Sequence, residues 1–115
     1  LPSTRSLIVY KKSEELLYKV YPKLIKYPKS EKFSLCQNIK QNFFDLLKSI
    51  SLGNSVKSKR KTYLQEADGY LQTLKVLMKL SKQRKYISLG FFREVDLALT
   101  EINKLLSGYI RSSVK

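Results

Sequence analysis

The stretch from Tyr63 to Lys85, YLQEADGYLQTLKVLMKLSKQRK, constrains the fold of this chain more than any other. Tyr63, Ala67, Tyr70, Leu71, Leu74, Leu77 and Met78 recur at steps of three and four, which at about 100° per residue gathers them on one broad apolar arc. An arc of that width predicts a helix packed into a bundle. On its edge Lys61, Lys75, Lys79 and Lys82 fall within about 60° of one another, so their side chains stand one above the next as a cationic rail. Elsewhere on the same cylinder Gly69, Thr73, Val76 and Leu80 form a second seam of small and apolar residues. A glycine inside a helix costs about 1 kcal/mol against alanine, so Gly69 implies either close helix approach or tolerated drift, and with Val76 and Leu80 beside it the seam is read as a subunit contact.

The rest of the chain can supply the partners for such a helix. After a lead-in at residues 1–5, in which Ser3 or Thr4 is placed as the cap, a first helix is predicted over residues 6–26. Its stripe is Leu17, Val20, Tyr21, Leu24 and Ile25. Pro22 predicts a kink in it, because an interior proline removes a backbone hydrogen bond while the apolar pattern resumes beyond. Pro28 then disfavours helix at Tyr27 and marks a turn. A second helix over residues 31–52 carries the seam Cys36, Ile39, Phe43, Leu46 and Ile50, with Gly53 suited to a left-handed cap. A basic linker, residues 55–61 (SVKSKRK), leads into the third helix, whose start is left open from Asn54 to Ser58 and which should end near Tyr86. Ser88 is placed to cap a fourth, residues 89–112, with Phe92, Val95, Leu99, Ile102, Leu106 and Tyr109 as its stripe. The expectation is all-α: one domain over residues 1–115, an antiparallel up-down-up-down four-helix bundle about 30–37 Å long.

Composition decides the class of function. The 115 residues include 23 Lys and Arg against 9 Asp and Glu, a net charge of +14. That exceeds the magnitude of roughly 2–8 that keeps a small domain soluble, and it implies a polyanionic partner, nucleic acid ahead of an anionic membrane surface. With no His and a single Cys, the chain lacks the common general base near neutral pH and any Cys/His zinc set, so neither catalysis nor a cofactor is expected. The four glycines, Gly53, Gly69, Gly90 and Gly108, stand singly and make no phosphate loop. Cys36 has no internal disulfide partner, which fits a reducing cytoplasm, and no apolar run approaches the roughly 20 residues of a membrane span. The candidate nucleic-acid contacts are Lys57, Lys59, Arg60, Lys61, Lys75, Lys79, Lys82, Arg84 and Lys85. Tyr10, Tyr18, Tyr27 and Tyr86 lie beside bases, where stacking on unpaired nucleotides is an option, whereas Tyr21, Tyr63, Tyr70 and Tyr109 fit core stripes.

Four segments in order, Tyr27 to Leu35 (YPKSEKFSL), Tyr63 to Asp68 (YLQEAD), Leu74-Lys75 with Leu77, Lys79 and Leu80, and Glu101-Ile102 with Leu106 to Tyr109 (LSGY), resemble the Avd family. These are the accessory variability determinant proteins of diversity-generating retroelements. The resemblance implies a four-helix bundle that assembles into a barrel-like homopentamer. It also implies a protein that binds the retroelement's reverse transcriptase, contacts its template RNA, and has no catalytic activity of its own. Lys75 and Lys79 match basic positions that are arginine in the family, so the charge is kept while bidentate phosphate geometry is not. The bundle proteins encoded in intervening sequences of large ribosomal RNA genes share the Pro-Lys-Ser-Glu turn and offer the alternative reading, an rRNA-associated structural protein. They typically carry Pro-Ser-Asn-Ile-Ala-Glu-Gly at the end of helix two, where this chain has Ser49-Ile50-Ser51-Leu52-Gly53-Asn54, and this departure favours Avd.

Overall fold

The structure, a computed structural model, describes residues 4–113. Four helices, α1 (Thr4–Val20), α2 (Leu35–Ser55), α3 (Arg60–Gln83) and α4 (Leu89–Ser112), make a four-helix bundle of 46 × 25 × 19 Å. α1 packs on α2 and α4, and α3 packs on α2 and α4, with α2–α3 the most extensive pairing. Short connections between consecutive helices make neighbours antiparallel. No helix among the described residues is long and apolar enough to cross a membrane.

The stripes read for α2 and α4 form the core. Ile39, Phe43, Leu46 and Ile50 of α2 and Val95, Leu99, Ile102 and Leu106 of α4 are sealed from solvent, as are Leu64, Ala67, Leu71, Leu74 and Met78 of α3. α4 starts where its cap predicts, with the Ser88 hydroxyl accepting from the Phe91 amide at 3.1 Å. Ser13 and Ser81 lie in the core without cost, because each hydroxyl donates to a carbonyl one turn back, Val9 at 2.8 Å and Leu77 at 2.9 Å.

The first helix differs from expectation. Thr4 and Arg5 already belong to α1, while Ser3 lies outside the described residues. The α-helix stops at Val20, and residues Tyr21–Lys26 wind as a tighter 3-10 turn instead of a kinked α-helix. Pro22 explains the change, since its ring has no N–H for Tyr18 and would strike that carbonyl in a continued α-helix. The tighter winding alters the side-chain phase: Leu24 stays buried, but Tyr21 and Ile25, which their spacing places on the core stripe, are exposed. Tyr27 is extended, with φ −68° and ψ 154°, as Pro28 requires. Residues Lys29–Glu31 form a second 3-10 turn, so α2 begins at Leu35 and not at residue 31.

Gly53 is a further correction. It lies inside α2, which runs on to Ser55, and no glycine among the described residues has a positive φ. Its role is close packing: a Cβ there would stand 2.8 Å from the buried Cδ2 of Leu64 on α3. The anticipated linker over residues 55–61 contracts to Val56 and a 3-10 turn at Lys57–Lys59, with Arg60 and Lys61 already in α3. α3 ends at Gln83, three residues short of Tyr86, through a six-residue Schellman closure. The Tyr86 amide donates to the Ser81 carbonyl and the Lys85 amide to the Lys82 carbonyl, both at 2.9 Å, with Lys85 left-handed at φ 63°.

Candidate nucleic-acid interface

The nine candidate bases do not form one patch. Lys57, Lys59, Arg60 and Lys61 sit where α2 turns into α3, while Lys79, Lys82, Arg84 and Lys85 sit at or just past its far end with Lys75 between, so that Lys61 and Lys79 stand about 27 Å apart along the helix. Asp68 interrupts the rail between them, falling seven residues after Lys61 and seven before Lys75. Gln72 then bridges α3 to α4, donating to Asp68 at 3.3 Å and to Asn103 at 3.1 Å.

At the first end Arg60 is committed to the fold. Its Nε donates to the Gly53 carbonyl at 2.7 Å and its Nη2 to the Asn54 carbonyl at 3.1 Å, closing the C-terminal end of α2. The guanidinium also lies 6.0 Å from the Tyr109 ring centroid, and the Tyr109 hydroxyl donates to Asn54 Oδ1 at 2.7 Å. Lys57, Lys59 and Lys61 remain exposed beside it.

The second end gathers charge that the sequence keeps apart. The α3–α4 connection and the α1–α2 connection meet there: the Tyr86 hydroxyl donates to Glu31 Oε2 at 2.9 Å, and the Tyr27 and Tyr86 rings stand 5.1 Å apart, tilted 50°. Lys23 lies 5.0 Å from the Phe91 ring centroid and Lys82 4.5 Å from that of Phe92, so bases of both connections flank the start of α4. Residues 21–40 contribute Lys23, Lys26, Lys29, Lys32 and Lys40, and residues 69–93 contribute Lys75, Lys79, Lys82, Arg84, Lys85 and Arg93. Glu31 is the one carboxylate in both stretches.

That carboxylate is itself fully engaged. Ser34 Oγ donates to its Oε1 at 2.8 Å, and this bond, then the one from Tyr86, then the Arg84 charge and the Leu35 amide, hold Glu31 below its ordinary value despite partial burial. Arg84 is correspondingly pushed up, first by the Tyr86 oxygen and then by charge. Spacing along the chain does not single out the lysines of the α1–α2 connection as candidates. The Tyr-Pro-Lys-Ser-Glu stretch is visible in the sequence, but its position beside the end of α3 is a tertiary fact.

On the outer face of α3, Gly69, Thr73, Val76 and Leu80 are all exposed, Val76 at 63% and Leu80 at 39%. No atom lies within 4 Å of a Cβ placed at Gly69, so that glycine answers no close approach inside the subunit. Thr73 Oγ1 donates to the Gly69 carbonyl at 3.1 Å. Among the tyrosines, Tyr27 and Tyr109 are buried and Tyr18 and Tyr21 exposed, a division different from the one read off the stripes. Cys36 is a buried free thiol whose pKa burial pushes up, so it stays neutral.

Comparison with known proteins places this geometry. A family described as bAvd-like matches residues 7–113. A solved structure of a protein of unknown function from the S23 ribosomal protein family, from Bacteroides thetaiotaomicron, superposes with a TM-score of 0.84 over 94% of this chain and 99% of that one. At 19% identity the likeness is one of fold. No curated protein matches the chain.

Proposed function

Because this chain belongs to the bAvd-like family, we propose that it is a non-catalytic accessory subunit of a diversity-generating retroelement, binding the template RNA and the reverse transcriptase to support mutagenic cDNA synthesis. The observation that carries the nucleic-acid half is the end of the bundle where the two basic connections meet, their own stretches holding one carboxylate, Glu31, which Ser34 and Tyr86 already satisfy. Lysines in that arrangement neutralise phosphates and release condensed counterions, which gives affinity with little sequence preference and a steep dependence on salt. Lys75, Lys79 and Lys82 of α3, with Arg84 and Lys85 just beyond it, supply the contacts, and Lys57, Lys59 and Lys61 make a second, smaller set at the opposite end.

Fluorescence anisotropy with a single-stranded RNA across a salt series tests this. Affinity should fall steeply with salt, and Lys75→Gln with Lys79→Gln should flatten the log–log slope by about 0.7 for each phosphate no longer neutralised. Binding that ignores salt, or none at low salt, removes the proposal. Capture from the host should return a reverse transcriptase. An rRNA-associated scaffold, the rival reading, predicts instead that the gene lies within an rRNA operon.

The outer face of α3, with Gly69, Thr73, Val76 and Leu80, is the proposed contact between copies in a homopentamer. An apolar strip exposed on a highly charged chain is stabilised by such burial. Light scattering that returned 13.4 kDa, the mass of one chain, would overturn it.

A further inference from the structure

Where Pro22 forces the tighter turn, the bundle leaves apolar side chains uncovered. Leu17, Tyr18, Tyr21, Pro22, Ile25 and Phe44 line a groove of roughly 500 Å³ between the end of α1 and the middle of α2. Tyr18 is 65% exposed and Ile25 82%, values unusual for large apolar groups that gain by leaving water. A second hollow of roughly 330 Å³ adjoins it, sharing Tyr21 and Ile25 as the common ridge. Its floor is Leu24, Tyr27 and Cys36, and its rim is Lys29, Lys32 and Lys40. Lys40 stands at the join, its Nζ 5.0 Å from the Tyr21 ring centroid. No carboxylate lines either half.

We propose that this two-part groove docks an acidic amphipathic segment of a partner protein, with aliphatic or aromatic side chains in the apolar half and carboxylates against Lys29, Lys32 and Lys40. The rim lysines disfavour a second copy as occupant: it would bring a chain of net charge +14 against Lys29, Lys32 and Lys40, whereas the proposed contact between copies on α3 has no lysine among Gly69, Thr73, Val76 and Leu80. RNA would satisfy the lysines and could stack bases on Tyr18 or Tyr21, but would leave Leu17, Pro22 and Ile25, which have no aromatic face, against a hydrated backbone. An amphipathic helix presenting apolar anchors at three-and-four spacing satisfies both halves together.

The test uses the full chain and three fluorescein-labelled synthetic peptides of about 16 residues, read by anisotropy near 0.15 M salt. One is an amphipathic helix with leucines along one face and glutamates flanking it, the second a scramble of the same composition, the third the first with lysine for glutamate. The first should saturate and bind at least tenfold more tightly than the others. Ile25→Glu, at a site too exposed to matter for folding, and Lys29→Glu with Lys32→Glu should each weaken it at least tenfold, with the thermal midpoint unchanged. Absence of saturable binding overturns the proposal, as does equal binding of the scramble, which would reduce the effect to bulk charge. Two other results would assign the groove to a different occupant and also overturn it: a fall in particle mass on Ile25→Glu points to a second copy, and a fall in RNA affinity on Ile25→Glu points to nucleic acid. Because RNA binding by the α3 lysines is read separately, either reading can fail while the other stands.

Discussion

At the scale of single residues, two side chains at the basic end carry more of the structure than their exposure implies. Lys85 holds φ 63° so that the last carbonyls of α3 find donors, a conformation that costs an L-residue about 1 kcal/mol and glycine almost nothing. Lys85→Gly should therefore stabilise the fold by about 1 kcal/mol in urea unfolding, with Lys85→Asn, which tolerates the same region, in between. Glu31 works in the opposite sense. Its depressed pKa means that the folded state favours the charged carboxylate, so its contribution is present above the ordinary value near 4.5 and is lost as pH falls through the lowered one. Glu31→Gln should lower the unfolding midpoint at pH 7, with the difference shrinking to nothing once pH has fallen below the lowered value and both side chains are neutral. Neither role is legible in sequence. The partner of Glu31, Tyr86, lies 55 positions away, and a lysine in a left-handed cap carries no compositional mark.

At the scale of elements, the three-and-four pattern finds α2, α3 and α4 because each buries one unbroken stripe. It misreads the stretch after Val20 because periodicity assumes a constant pitch, and Pro22 changes the pitch without interrupting the hydrophobic count. Gly53 misleads in another way: it reads in sequence as an exit from α2, yet it is where α2 packs tightly on α3, while Gly69, read as part of a contact between copies, faces open space within the chain. Alanine substitution separates them by thermal denaturation. Gly69→Ala should stabilise by about 1 kcal/mol, the helix-propensity gain alone. At Gly53 the same gain is opposed by overpacking against Leu64, which is 0% exposed and has no room to retreat, so Gly53→Ala should destabilise on the order of 1 kcal/mol net.

At the scale of the whole molecule, the charge is legible in sequence as a sum and its placement is not. The antiparallel course of the helices sends Lys57, Lys59 and Lys61 to one end and joins Lys82, Arg84 and Lys85 to lysines some fifty residues earlier at the other. Against +14, the described residues form two ion pairs, Lys12 with Glu101 and Lys19 with Glu94, both exposed and between α1 and α4. Exposed pairs add little, so self-repulsion dominates, and calorimetry should show the melting temperature rising as salt increases from about 0.05 to 0.5 M. A fall would mean that attraction between surface charges outweighs it. The tyrosine hydroxyls have a different consequence. Tyr86 ties the second helical hairpin to the first through Glu31 at one pole, and Tyr109 ties it through Asn54 at the other. Opening the hairpins like the covers of a book would break both bonds, so a ligand bound at either pole would meet loops already ordered by folding, with less entropy to forfeit upon capture.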